Sequence, residues 1–176
     1  LKAALMLRRP ADLRLESIPL IGPPDFFLSI AGGELRVFLP EKGAYHVGPA
    51  TRGNIARLLR LPLSAAEIVA LLMGWFPEEW EGAAEWDGEQ EEGLYRLDRY
   101  RAGRKIGSLW IDPATNLLIR VRTFTEREET VYTADFADHV RLGAAFLPQR
   151  LTISGEGVTL AVRYTDTGLT DDEAAS

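Results

Sequence analysis

The sequence predicts an α+β fold in which a helical insertion interrupts one large antiparallel sheet. Short segments of alternating apolar and polar residues fill most of the chain, and glycine, proline, aspartate and asparagine separate them. Signals for helix ends occur in a single region, residues 51–74. A long sheet with one apolar face must curl or be covered, and helices inserted into its connections can provide that cover.

The strand patterns are regular enough to place ten or eleven strands in chain order. Leu13 and Leu15 alternate with polar residues, and Phe26, Leu28 and Ile30 fall on one face of the next segment. A Gly-Gly pair at 32–33 indicates a hairpin, because glycine accepts the positive φ that tight turns require. The return segment places Leu35 and Val37 on one face, and residues 44–47 follow after a turn. Later candidate strands are residues 93–101, 106–111, 116–124, 129–136, 145–154 and 157–166, with Ile119 and Val121 alternating in the third of these.

Two short helices are predicted between the fifth strand and residue 74. Thr51 can cap the first, Ser64 with Glu67 three residues later forms a capping box for the second, and Gly74 can end it. Their shared apolar stripe consists of Ile55, Leu58, Leu59, Ile68, Val69 and Leu72. The stripe predicts that the helices lie across one face of the sheet. Residues 75–93 are acidic and rich in tryptophan, Trp80 included, and are predicted to be an irregular connection or a short strand.

Composition excludes several classes of function. The chain has 176 residues, a net charge of -6 and no dominant basic tract, so nucleic acid is disfavoured as a partner. No apolar run approaches the 18 residues of a membrane helix. Cysteine is absent, which excludes disulfides and thiol chemistry. The sequence predicts one domain, residues 1–168, with an acidic tail at 169–176. Because it opens at Leu1 inside a strand pattern, we expect that upstream residues, including a signal peptide or lipid-attachment cysteine, were lost.

No constellation of catalytic residues is apparent in the sequence. His46 and His139 are far apart and lack a second ligand at metal-binding spacing. The acidic residues occur mainly in runs, which are typical of solvated faces, and no serine lies in a hydrolase elbow. The sequence therefore predicts a protein without catalytic activity, metal or cofactor.

Residues 7–15, LRRPADLRL, resemble the LolA/LolB-like lipoprotein carriers, in which one strand ends in Arg-Pro and the next opens with a polar step. Residues 32–38, GGELRVF, are similar to a hairpin of that superfamily, and residues 146–151 and 162–166 are similar to its C-terminal strands. The likeness covers most of residues 1–168 and is closest to LolB-like envelope lipoproteins.

The resemblance implies a large curved antiparallel half-barrel of about 10–11 strands whose apolar concave face holds acyl chains under a helical lid. It implies a location in the periplasm or at the periplasmic face of the outer membrane, with lipid acyl chains or lipidated proteins as partners and a membrane surface reached through the lost anchor. Arg9 matches an arginine that bonds to the lid in the closed carrier. LolB proteins insert lipoproteins with an exposed leucine on a protruding loop, and the matching connection here, residues 31–34, is very short. The predicted trough and lid residues are Arg9, Leu13, Leu15, Phe26, Leu28, Leu35, Val37, Leu58, Ile68, Leu72, Ile119 and Val121.

Other functions remain open at this point. A module of the same fold could serve a structural or sensing role with a protein partner, its trough filled by its own side chains such as Trp75. An enzyme or an unrelated β protein would be further alternatives. An open apolar cavity of several hundred Å³ would favour the carrier.

Overall fold

The computed structural model describes residues 2–77 and 84–169, and it divides into two compact units, Leu1–Gly82 and Ala83–Ser176. The first unit holds a five-stranded sheet with two helices, and the second holds a seven-stranded sheet. In each sheet the strand order follows the chain and all neighbours are antiparallel. The prediction of one sheet with ten or eleven strands was therefore wrong in detail, because twelve strands form two sheets within the described residues. Trp80 and the tail from Thr170 lie outside those residues.

All five strands predicted for the first unit are present, as β1 (Ala3–Arg8), β2 (Asp12–Ser17), β3 (Phe27–Ala31), β4 (Glu34–Leu39) and β5 (Ala44–Pro49). The turn between β3 and β4 uses Gly32 and Gly33 at φ values of 56° and 78°, as a tight hairpin requires. The strand register aligns the leucines of one face into two cross-strand rows, namely Leu5–Leu15–Leu28–Val37 and Leu7–Leu13–Ile30–Leu35. The predicted sharing of one apolar face is confirmed for this sheet.

Both predicted helices form, α1 at Arg52–Leu59 and α2 at Ala65–Leu72. The Thr51 hydroxyl accepts from the Asn54 amide at 3.2 Å. In the capping box of α2, the Ser64 hydroxyl accepts from the Glu67 amide at 3.1 Å, and the Glu67 carboxylate accepts from the Ser64 amide at 2.7 Å. Gly74, at φ 74°, donates to the Leu71 carbonyl directly after α2 ends. The sequence thus predicted both helix starts and the end of α2.

Helix α2 packs on β2, and nearly all of its side chains are buried. Ile68, Val69 and Leu72 from the predicted stripe are buried, and so is Leu71, which lies off the stripe. Leu58 of α1 is the exception, since 44% of its surface is exposed. The prediction that Leu58 faces the sheet with the other stripe residues is therefore wrong. Ile55 is the buried residue of α1, so the covered face of this helix is narrow and does not extend to Leu58.

The second unit contains β6 (Glu85–Glu91), β7 (Leu94–Arg101), β8 (Arg104–Ile111), β9 (Leu118–Phe124), β10 (Thr130–Leu142), β11 (Ala145–Gly155) and β12 (Val158–Arg163). Strand β6 lies where an irregular connection or a short strand was expected. Its sequence, EWDGEQE, is almost wholly exposed and lacks apolar alternation. Strand β10 extends six residues past the predicted end at 136, so that His139 lies in this strand.

One face of the second sheet is apolar and the other is polar. Residues of the apolar face align across six strands as Leu97–Leu109–Val121–Ala134–Ile153–Leu160. A register shift between β8 and β9 pairs Ile111 with Leu118 and Trp110 with Arg120, which leaves Ile119 between the pairs. As a result Leu118 is buried and Ile119 only half-buried. The simple alternation predicted for Ile119 and Val121 was therefore wrong at Ile119.

Candidate functional site

The apolar face of the first sheet is the part of the molecule that corresponds to the predicted trough. Leu13, Leu28, Leu35 and Val37 lie in adjacent positions on it and are buried. Leu15 lies in the same rows and is half-buried. Phe26 directly precedes β3, where its carbonyl accepts from the Ser17 amide at 3.0 Å, and it is also half-buried. Five strand positions and one flanking aromatic residue thus form a continuous apolar surface.

Helix α2 covers part of this surface, since it packs on β2. Ile68 and Leu72 from the predicted lid are buried. A further contact fixes the two helices to each other, because the guanidinium of Arg52 at the start of α1 bonds to the carboxylate of Glu67 in α2. The Arg52 side chain also donates to the Pro62 carbonyl at 3.0 Å. Helix α2 therefore covers part of the apolar face, and polar contacts of Arg52 join α2 to α1.

Arg9 lies in the turn between β1 and β2, where the strand ends before Pro10 as the sequence predicts. Its side chain is exposed. The neighbouring Arg8 pairs with Asp12 at 2.9 Å. At the end of α2, backbone donors from Gly74 and Trp75 already bond the carbonyls of Leu71 and Ala70 at 3.0 and 2.9 Å. The contact between Arg9 and the lid stays a prediction.

Sequence reasoning missed the loop at residues 18–24, IPLIGPP, between β2 and β3. Leu20 and Ile21 are fully exposed there, at 102% and 94%, and Ile18 is also exposed. The loop has no charged residue and contains three prolines. Large aliphatic side chains this exposed at neighbouring positions are typical of an interaction surface. The signal available in the sequence was the uncharged aliphatic pair set between prolines.

A buried serine holds the base of this loop. The hydroxyl of Ser17 accepts from the amides of Asp25 at 3.0 Å and Phe26 at 3.1 Å, and it donates to the Asp25 carboxylate. The Ile18 amide donates to the Lys2 carbonyl at 2.8 Å, which joins the loop to the start of β1. These bonds order both ends of the loop, so the tip projects from a fixed base.

The polar face of the second sheet carries a network of paired charges. Asp98 accepts from Lys105 and from the Ser108 hydroxyl, each at 2.6 Å, and Arg96 lies 3.3 Å away. Burial opposes ionisation of Asp98, but these hydrogen bonds and neighbouring cations outweigh it and hold its pKa below the usual value. The indole of Trp110 donates to Glu91 at 2.6 Å, and this bond is the main reason that the pKa of Glu91 is lowered. Groups engaged in this way stabilise a face and supply no free base or nucleophile.

The remaining candidates for chemistry do not converge. Ile119 and Val121 belong to the second unit and its own apolar face. His46 is exposed on the edge strand β5, whereas burial lowers the pKa of His139 in β10. Within residues 2–77 and 84–169, no group of three or more histidine or acidic side chains could hold a metal ion. No helix among the described residues is long and apolar enough to cross a membrane.

Comparison with solved structures assigns the fold to a known class. The fold is similar to that of a LolA superfamily protein from Nitrosomonas europaea, with a TM-score of 0.60 and 12% identity. The alignment covers 96% of this chain and 77% of that protein's chain. A putative outer membrane lipoprotein-sorting protein domain from Vibrio parahaemolyticus matches 95% of this chain and 77% of its own, with a TM-score of 0.55 and 14% identity.

A DUF1329 family protein from Desulfovibrio piger is also similar, at a TM-score of 0.54 and 15% identity over 96% of this chain and 78% of its own. No protein-family model and no curated protein matches the chain. The chain therefore has a LolA/LolB-like fold, as the sequence resemblance implied.

Proposed function

We propose that this protein binds the acyl chains of lipids or lipidated proteins in the bacterial envelope, without catalysis, and transfers them at a bilayer surface. The observation that carries the proposal is the pair of fully exposed aliphatic side chains, Leu20 and Ile21, on a loop with an ordered base. Likeness to a LolA superfamily protein and to a putative lipoprotein-sorting domain supports an envelope location and a role in lipoprotein sorting.

The loop has the properties expected of an element that enters a bilayer. Burying a leucine or isoleucine side chain is worth about 1.5–3 kcal/mol, so the pair gains substantially when it leaves water for the acyl region. The prolines and the Ser17 bonds restrict the loop before it binds, which lowers the entropy lost on insertion. The exposed leucine that the LolB resemblance implies then has its counterpart at residues 18–24 and not at residues 31–34.

The apolar face beneath α2 is the proposed site of the acyl chain. Each buried methylene contributes about 0.8 kcal/mol, so a chain can bind there without any polar contact. Leu13, Leu28, Leu35 and Val37 are buried, and α2 packs on the strand that carries Leu13, so we expect α2 to move when a ligand enters. In this arrangement α2 covers the apolar face in water and uncovers it near a bilayer.

Flotation with phosphatidylethanolamine–phosphatidylglycerol vesicles tests the bilayer part of the proposal. Replacing both tip residues, Leu20→Ser with Ile21→Ser, should reduce the bound fraction at least about tenfold. Leu169→Ser, at an exposed leucine of the second unit, is the matched control and should leave binding unchanged. Equal binding by the tip variant and the unaltered protein would contradict the proposed role of the loop.

Native mass spectrometry of protein isolated from a bacterial envelope tests the acyl-chain part. The carrier should retain lipid or lipidated protein, and Val37→Asp should abolish the retained mass, because a carboxylate would then lie on the apolar face. Arg163→Asp, which places the same carboxylate at an exposed position of β12, is the control. Protein without bound lipid, together with a stoichiometric protein partner, would instead support the structural or sensing alternative.

A further inference from the structure

The outer face of the first sheet, opposite the buried leucines, carries one aromatic row and one row with two arginines that the proposed function does not use. The row beside the 18–24 loop runs Glu16–Phe27–Phe38–Tyr45 across four strands. Neighbouring rings lie 6.0 and 6.3 Å apart between centroids. Tyr45 is 60% exposed and Phe38 39% exposed. An aromatic row this exposed is unusual for a sheet face in contact with water alone.

The next row, two residues further from the loop, runs Met6–Arg14–Ser29–Arg36–Val47. Arg14 and Arg36 are exposed on either side of Ser29. The two rows enclose an open depression of about 190 Å³. Beyond it lie the pairs Arg8–Asp12 and Ala31–Glu34–Pro49, whose charges pair with each other or with Arg36.

Polarity therefore changes in a fixed order along the strands. The loop tip is aliphatic, the first row is aromatic, the second combines arginines with apolar side chains, and the pairs beyond it are charged. Successive rows are about 7 Å apart, since a strand rises 3.2–3.4 Å per residue. A bilayer presents the same order of environments, from acyl chains through the interface favoured by aromatic side chains to phosphates and then water. The shorter turn at the loop end, Pro40–Lys42, carries one acid and one base, Glu41 and Lys42, and the long side chain of the lysine lets its ammonium reach the phosphates.

We infer that the first sheet stands with its loop end in a phospholipid bilayer, with Phe38 and Tyr45 at the interface and Arg14 and Arg36 bonded to lipid phosphates. This inference rests on the proposed insertion of the 18–24 loop and adds the depth and orientation of the first sheet. It assigns the depression between the two rows to a phospholipid headgroup.

The acidic partners of the two arginines do not oppose this assignment. Arg14 bonds to Glu16 and Arg36 bonds to Glu34 at 2.6 Å, in each case two residues apart on one strand. Exposed pairs of this kind contribute little to stability, so each guanidinium can turn to a phosphate at small cost. A phosphate accepts two parallel bonds from a guanidinium, and the hydroxyl of Ser29 between the arginines can donate a further one.

Depth-dependent fluorescence quenching tests the inference directly. The chain has no cysteine, so Leu20→Cys, Tyr45→Cys and Glu34→Cys each give one site for an environment-sensitive dye. In vesicles with nitroxide-labelled lipids, the dye at position 20 should be quenched most by deep nitroxides. The dye at position 45 should be quenched most by nitroxides near the headgroups, and the dye at position 34 should be unaffected.

Other quenching patterns distinguish the inferred orientation from the proposed loop insertion. Quenching at position 20 with none at position 45 would overturn the inference and leave the proposed loop insertion standing. Absence of quenching at both positions would overturn both. A blue shift of the dye at position 45 that grows with protein concentration without vesicles would assign the face to a second copy of the chain, and so overturn the inference.

Charge-matched variants test the two arginines separately. Arg14→Gln with Arg36→Gln should weaken binding to phosphatidylglycerol-containing vesicles at least about fivefold, since one basic residue near an anionic surface has an effect of that size. Arg101→Gln with Arg163→Gln removes the same charge from exposed positions of the second unit. Equal losses for the two pairs would reduce the effect to net charge and overturn the phosphate contacts.

Discussion

Ser17 holds Asp25 across the base of the 18–24 loop, with its hydroxyl donating to the carboxylate and accepting from the Asp25 amide at 3.0 Å. The same oxygen accepts from the Phe26 amide at 3.1 Å, and Ser17 is only 2% exposed. One small side chain thus satisfies two backbone donors at the point where the chain leaves β2 and enters β3. The exposed tip depends on this arrangement for its direction.

Ser17→Ala should lower the free energy of unfolding by about 1–3 kcal/mol, because two part-buried amides lose their acceptor. It should also weaken vesicle binding, since the tip would no longer be held in one conformation. Urea unfolding and flotation measure the two effects. Ser29→Ala, which removes a hydroxyl from the outer face of β3, is the control for stability. A Ser17→Ala protein as stable as the control would show that the loop base is held by other contacts.

The pair formed by Arg52 and Glu67 should control how readily α2 leaves the sheet. Glu67 is almost fully buried and also completes the capping box, so Arg52→Gln leaves a buried carboxylate with one partner fewer. We expect faster hydrogen exchange at Ala65–Leu72 and faster uptake of a fluorescent fatty acid. Arg57→Gln, at an exposed position of the same helix α1, is the control. Unchanged hydrogen exchange in α2 would show that the ion pair does not control the movement of this helix.

The free energy of unfolding of the second unit should depend on pH through Asp98. Its pKa is lowered in the folded protein, so the ionised carboxylate stabilises the fold above the ordinary value of 3.8, and this contribution is lost as the pH falls through the lowered pKa. Asp98→Asn should therefore be less stable than the unaltered protein at pH 7, by about 1–3 kcal/mol. The difference should shrink below pH 3.8.

Urea titrations at pH 7, 4 and 3 measure this difference, and Asp166→Asn, at an exposed position after β12, is the control. A difference between Asp98→Asn and the unaltered protein that stays constant from pH 7 to pH 3 would contradict the linkage. Such a result would mean that the folded and unfolded proteins bind the proton of Asp98 equally well.

Local chemistry explains which parts of the fold were predictable from the sequence. Thr51, Ser64 and Gly74 mark helix ends because their side-chain or backbone properties act on their own neighbours. Alternation placed the leucines of β1–β4 correctly, because a strand with one buried face repeats every two residues. Strand β6 has no buried face to impose that pattern, and it was predicted only as an irregular connection or a short strand.

The features that were harder to predict depend on contacts that produce no periodic pattern in the sequence. A bulge shifted the pattern at Ile119, and bulges depend on how two strands pair and not on either strand alone. The strands of residues 2–77 and 84–169 form two sheets, and the pattern of a strand does not say which strands it pairs with. Leu20 and Ile21 were overlooked because apolar residues are expected inside, and only the structure shows that both are exposed.

Arg9 is the residue that the resemblance to LolA/LolB-like carriers associates most specifically with the lid, and so with release of a bound lipid. It lies directly after β1, beside the strand on which α2 packs. A cation near the C-terminal end of a helix contributes about 0.3–1 kcal/mol. Arg9→Leu should therefore change the release rate of a bound fluorescent fatty acid about two- to fivefold without unfolding the protein, so that the melting temperature falls by no more than about 4 °C.

The matched control for this prediction is Arg8→Leu, which removes the neighbouring guanidinium and its exposed pair with Asp12. Exposed pairs contribute little, so this variant should release the probe at the original rate. The carbonyls of Ala70 and Leu71 already accept backbone bonds, so a contact from Arg9 would add to an end that is partly satisfied. For that reason we expect a change in rate and not a loss of binding. Identical release from both variants would assign Arg9 to the surface charge of the turn.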